Sequence, residues 1–206
     1  MSLSMPGRSS PKSDEEKPAR LCFIDIETTG SVFGYHEILD IGVVRTERTG
    51  CDRTTVEWGT RLRPQYPDRI TPVAAERNGY NDAEWKNAPF PSKELWSEFN
   101  EIVGGCVPVC HNPSFDRAFI SLCAYACGIK ELAVDYHWIG TESLAWPLYA
   151  GGWLPELSLS GMCRFFELPV EPRPHTALGG ARACMGVYHK ILDCYERGSF
   201  VVPSSK

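Results

Sequence analysis

Apolar and polar residues alternate in short runs over the first third of the chain, then recur at helical spacing over most of the remainder. RLCFIDIE (residues 20–27) is an apolar run that ends in TTGS, the pattern of a short buried strand entering a turn. HEILDIGVVRTE (36–47) and TVEWGTRLRP (55–64) predict two further strands, with RTGCDR (48–53) as the hairpin loop between them. A short helix should start at Pro72 and stop at Gly79. In SKELWSEFNEIV (92–103), Leu95, Phe99 and Ile102 share one helical face and Ser92 is placed to cap it. CVPVC (106–110) predicts a fourth strand, SFDRAFISLCAYACG (114–128) a helix closed by Gly128, and DYHWI (135–139) a fifth strand. Helices are expected over 141–150, 158–166 and 176–196. A three-strand meander followed by strands alternating with helices predicts an α/β fold on a mixed sheet.

Residues 1–18 are polar, proline-bearing and aperiodic, so they read as a disordered leader; 19–197 form one domain and 198–206 a short tail. The 206-residue length suits a single core, on a prior of about 100–200 residues per domain. A net charge of −5 argues against salt-sensitive coating of a duplex but leaves room for a local basic patch. Arg61, Arg63, Arg69 and Arg77 could form one, although a solvated face explains them as well. No secretory segment or membrane-length apolar run is present, so a cytoplasmic protein with reduced thiols and no membrane partner is expected. Cys106, Cys110 and His111, or Cys123 and Cys127, lack the spacing and partners of a zinc module and read as buried thiols.

Strand alternation puts Leu21, Phe23, Asp25 and Glu27 on one face. Two carboxylates at the end of an apolar strand repel each other and lose hydration unless a cation joins them, and carboxylate oxygens suit Mg²⁺ or Mn²⁺. In CHNPSFDRAFI (110–120), Asp116 lies in the first turns of a helix that follows a strand, from where it can face the same sheet edge. Taken alone, it is equally a favourable charge near a helix N-terminus. HTALGGARA (175–183) opens the last helix with two glycines, each costing roughly 1 kcal/mol relative to alanine in a helix interior.

Together DIETTG, HNPSFD and the histidine ahead of the last helix resemble the three motifs of the DEDDh 3′→5′ exonucleases, a group that includes the proofreading subunits of bacterial replicative polymerases, RNase T and oligoribonuclease. The resemblance runs from about residue 20 to 192. It implies an RNase H-like fold, a central mixed five-stranded sheet flanked by helices, and two-metal hydrolysis of phosphodiester bonds from a single-stranded 3′ end of DNA or RNA. On that pattern Asp25 bridges two Mg²⁺ or Mn²⁺ ions, Glu27 holds the first ion and its water, Asp116 steadies the second, and His175 is the general base. Ile26, Thr28 and Thr29 match positions that contact the terminal nucleotide, and Phe115 an aromatic that packs near the terminal bases. His111 and Asn112, which close the fourth strand, complete the expected substrate-binding set. A second copy and a polymerase are the protein partners the resemblance brings in, and the sequence chooses neither.

The family pattern also has a carboxylate five residues after the histidine, where this chain has Gly180; Gly179 beside it means that a one-residue shift restores nothing. A further family aspartate corresponds to Gly140. The nearest acids, Glu167, Glu171 and Asp193, replace it only if the loop is rearranged. Two functions are therefore weighed: an exonuclease with a ligand position vacant at Gly180, and an impaired, exonuclease-like module that binds a nucleic-acid end or a partner protein. Retention of Asp25, Glu27, Asp116 and His175 favours the first.

Overall fold

The computed structural model describes residues 20–49 and 52–197; the expected leader and tail lie outside them. Five strands, β1 (Arg20–Thr28), β2 (Ile38–Thr49), β3 (Asp52–Arg61), β4 (Cys106–Cys110) and β5 (Ile139–Gly140), form one sheet in the order β3-β2-β1-β4-β5. The first three are antiparallel neighbours, while β4 and β5 run parallel to β1, so the sheet is mixed as expected. The helices are α1 (Pro72–Asn78), α2 (Asp82–Trp85), α3 (Lys93–Val103), α4 (Pro113–Ala126), α5 (Thr141–Ala150), α6 (Leu159–Phe165) and α7 (Ala177–Arg197).

Alternation along β1 divides the core. Cys22, Ile24 and Ile26 pack against Trp96, Phe99 and Val103 of α3 and Phe119, Ile120 and Ala124 of α4. Phe23 faces the other way, with Val44 and Val109, onto Ala181, Cys184 and Tyr188 of α7. The outer side of α7 is covered in turn by α5 and α6 through Ala145, Leu148, Met162, Val187 and Ile191. The sheet is thus buried on both faces, and α7 is central to one of them.

Three local expectations are corrected. The β2–β3 ladder continues to Thr49↔Asp52, so most of the predicted hairpin loop is strand. The fifth strand shrinks to two residues, paired at Val109↔Ile139 and Cys110↔Gly140. Ahead of it, the Asp135 carboxylate accepts the His137 N–H at 2.8 Å, closing a turn where the strand was expected to start. On α3 the buried face is Trp96, Phe99 and Val103, with Leu95 and Ile102 at its margin. Ser92 caps that helix as expected, its Oγ accepting the Leu95 N–H at 3.3 Å.

Helix α7 approaches the sheet closely at Gly42 of β2. A Cβ there would overlap the backbone of Ala177 and Leu178 at the start of α7. Gly42→Ala is expected to lift that end of α7 and to destabilise the protein by about 2–3 kcal/mol in urea unfolding. An unchanged midpoint would mean that α7 is not seated on this strand.

Candidate active site

Because β1, β4 and β5 are parallel, their carboxyl ends share one edge. The β1–β4 pairing ends at Phe23↔Val109, so Asp25 and Glu27 project beyond it. A bulge between Glu27 and Thr28 ends the regular pairing of β1 with β2. β4 passes through His111 and Asn112 into α4, whose first turn holds Asp116 at the same edge. There the Asp116 N–H donates to the Asn112 carbonyl at 3.4 Å, and the Asp116 side chain is buried beside β1.

His175 arrives by a different route. The side chain of Asn78 donates to the Thr28 carbonyl at 3.2 Å, and the Thr71 N–H to the Thr29 carbonyl at 2.9 Å, which docks α1 on the end of β1. The Arg77 carbonyl then accepts the His175 N–H at 2.8 Å. Two residues further on, the Ala177 N–H donates to Asp40 Oδ2 at 3.0 Å, fixing the start of α7 over the sheet. Asp40 stands directly opposite Glu27 across β1 and β2.

These routes converge on one cleft of about 580 Å³, lined by Asp25, Ile26, Glu27, His111, Asn112, Phe115, Asp116, His175 and Gly180. The nine share one site. Thr28 and Thr29 do not line it: Thr28 Oγ1 donates to the Gly30 carbonyl at 2.8 Å, and Thr29 Oγ1 accepts the Glu37 N–H at 2.9 Å. Both are buried and hold the turn after β1. Gly140, the other departure, caps α5, where a Cβ would press on Pro113 at 2.9 Å. Arg77, Arg164, Arg173 and Glu171 also line the cleft. Of these, Arg164 and Arg173 drew no attention in the sequence, because their loop path decides which side they face. Arg61 and Arg69 lie elsewhere, on Trp85 and on Tyr35 and Tyr66 respectively.

The acids resist ionisation. Burial, then the charges of Asp116, Glu27, Glu171 and Asp40, push Asp25 well above the ordinary carboxylate range. Burial pushes Glu27 up to about 7, with Glu171 adding to the shift and Arg77 opposing it. Asp116 is likewise pushed up to about 7 by burial, against its backbone hydrogen bonds. For His111, burial favours the neutral ring, and its Nδ1 lies 3.0 Å from Thr141 Oγ1. Glu27 is only 9% exposed and, among the described residues, its carboxylate has no hydrogen-bond partner and none of Asp25, Glu27 and Asp116 forms an ion pair. Hard oxygen donors that repel one another and form no ion pair with a described residue fit a divalent cation. No three His, Cys, Asp or Glu side chains among the described residues already close on one point.

The two glycines have separate occupants. A Cβ on Gly180 would overlap the Asp25 carboxyl, its Cγ at 2.6 Å, so the space is filled by a side chain from β1. A Cβ on Gly179 would overlap Glu171 Oε1, with Cδ at 2.9 Å. Glu171, set aside in the sequence for want of a suitable loop, is in the cleft.

An α/β sandwich with a carboxylate-rich cleft at the carboxyl ends of its parallel strands defines the class of protein. More particularly, the chain belongs to the exonuclease family (RNase T), whose model matches residues 22–188. It is 29% identical over 182 residues to a PolC-type DNA polymerase III of Caldanaerobacter subterraneus subsp. tengcongensis, covering 88% of this chain and 12% of that one. The epsilon subunit of DNA polymerase III from Treponema pallidum is 28% identical over 169 residues, 82% of this chain and 74% of that protein. In fold, the chain resembles E. coli exonuclease I, solved in complex with a dT13 oligonucleotide, with a TM-score of 0.70 at 12% identity over 87% of this chain and 42% of the other. The fold is RNase H-like, as expected. No described helix is long and apolar enough to cross a membrane.

Raised acids bind protons more tightly in the folded state. Glu27 and Asp116 therefore favour folding fully below the ordinary carboxylate range near pH 4, and that contribution is lost as pH rises through about 7. The metal-free melting temperature is expected to fall from about pH 5 to about pH 8. Millimolar Mg²⁺ or Mn²⁺ should restore it at the upper pH and do little at the lower. A calorimetric scan showing no ion response at the upper pH would argue against a cation site.

Proposed function

We propose that this protein is a 3′→5′ exonuclease acting on a single-stranded 3′ end of DNA or RNA. The observation that carries the reading is the meeting of Asp25, Glu27 and Asp116, none with an ion pair among the described residues, and His175 in one cleft. Asp25, Glu27 and Asp116 would hold two Mg²⁺ or Mn²⁺ ions. Bound there, the ions would supply the charge that acidifies water and steadies the departing 3′ oxygen.

His175 takes the proton of the attacking water, a role suited to an imidazole near neutral pH. Ile26 and Phe115 offer apolar contact to the terminal nucleotide, tolerant of base identity because every base has a flat face. His111 and Asn112 close that side of the pocket. Arg77 lines the same cleft and would offset phosphate charge that the acids repel; Arg164 and Arg173 line it too, paired with Glu156 at 2.6 Å and Glu76 at 3.2 Å. The two relatives named as DNA polymerase III components support DNA as the first strand to test and a polymerase as the first protein partner. A second copy of the chain is the other partner in the proposal, and the cytoplasm its compartment.

Strands labelled at the 3′ or the 5′ end, incubated with Mg²⁺ or Mn²⁺, are expected to shorten stepwise from the 3′ end. Asp25→Asn should slow this by at least about a hundredfold, since even residues behind a metal ligand cost about ten to a hundredfold. Strand binding without shortening under either ion would instead support the binding-module reading.

Gly180→Asp tests the vacant position. The new side chain must displace the Asp25 carboxyl, so the metal-free melting temperature should drop, while Mn²⁺ binding measured by calorimetry should tighten. Unchanged Mn²⁺ affinity would show that position 180 does not face the ion.

A further inference from the structure

We propose that Glu171 is the positioning residue for His175, holding Nδ1 of the ring toward its carboxylate and leaving Nε2 to take the proton. On this proposal, position 179 is glycine so that this carboxylate can enter. The inference rests on His175 being the base proposed above.

Glu171 sits on the loop between α6 and α7, with its side chain only 13% exposed. One oxygen, Oε1, accepts the Thr176 N–H at 2.7 Å and the Thr176 hydroxyl at 3.3 Å. The other, Oε2, lies 3.5 Å from His175 Nδ1, while the His175 N–H is held by the Arg77 carbonyl at 2.8 Å. The backbone is thus held by Arg77 while Nδ1 of the ring stands beside Glu171, and Nε2 has no partner among the described residues. Thr176 caps α7 with its own hydroxyl, which accepts the Gly179 N–H at 3.1 Å. Glu171 therefore holds the residue that starts the helix and stands beside the ring, and any side chain at 179 would occupy the space of its carboxyl.

The arrangement suits a base. A carboxylate beside Nδ1 favours the tautomer with the proton on that nitrogen, so the lone pair is on Nε2. In the step it serves, a water proton passes to Nε2, the water oxygen bonds to phosphorus, and the bond from phosphorus to the 3′ oxygen breaks. That oxygen takes a proton from solvent. The imidazolium then stands beside a negative charge.

The test separates charge from scaffolding. Glu171→Gln retains an oxygen that can accept the Thr176 N–H but removes the charge beside the ring. Nitrogen-15 imidazole spectra of the metal-free protein at alkaline pH, with the five histidines assigned by substitution, report the tautomer directly. The native His175 signal is expected as the Nδ1–H form, shifting toward Nε2–H in Glu171→Gln and also in Gly179→Ala, whose methyl would expel the carboxyl. With an unchanged melting temperature, single-turnover cleavage in Glu171→Gln should slow by on the order of ten to a hundredfold at unchanged strand affinity. An Nδ1–H signal kept in Glu171→Gln overturns the proposal, and one kept in Gly179→Ala overturns the part assigned to the glycine. Failure of the native protein to cleave would count against the exonuclease reading alone, because the tautomer is read without metal or substrate.

Discussion

The seating of α7 on the centre of the sheet is the constraint on which the site depends. At Gly42 the helix backbone touches the strand backbone with no side chain between them, and at Gly180 the helix leaves room for Asp25. Such an approach is open only to glycine, and it sets the position of everything near the helix start. Asp40 anchors the same turn by accepting the Ala177 N–H. With that end fixed, the loop ahead of it must deliver His175 to the edge where β1 ends.

The electrostatics follow from this geometry. Asp25, Glu27 and Asp40 gather on neighbouring strands, and Asp116 joins them from α4. Packing that buries both sheet faces also removes water from these carboxyls, so each is driven toward its protonated form. Backbone N–H groups offset part of the penalty at Asp116 and Asp40. What they do not offset at Asp25 and Glu27 is the energetic opening for a cation; the Arg77 charge opposes the shift at Glu27.

Much of this was legible in the chain. Period-two runs located the three antiparallel strands, and Pro72, Gly79, Ser92 and Gly128 marked helix ends that the structure retains. Asp25, Glu27, Asp116 and His175 were singled out by the order and spacing of their motifs, and the fold brings all four to one cleft. Errors arose where a local choice depends on a tertiary partner. The β2–β3 ladder runs through residues that look like a loop, and Asp135 closes a turn within an expected strand. Asp40 was passed over because nothing local shows that a strand acid will meet a helix start more than a hundred residues away. Glu171 was hidden for a related reason: its reach depends on the path of a proline-bearing loop.

The glycine pair looks different once the structure is known. Read along the chain, Gly179 and Gly180 are two weak helix formers and a lost carboxylate. In space, they are the two points where carboxylates from other elements, Glu171 and Asp25, press against the first turn of α7. A helix start offers free N–H groups and the positive end of its dipole, which favours negative charge brought there. The missing side chain at 180 and the inward acid at 171 are therefore linked features of one arrangement. Replacing either glycine alters the placement of an acid before it alters the number of acids, so position 180 has to be judged together with Asp25.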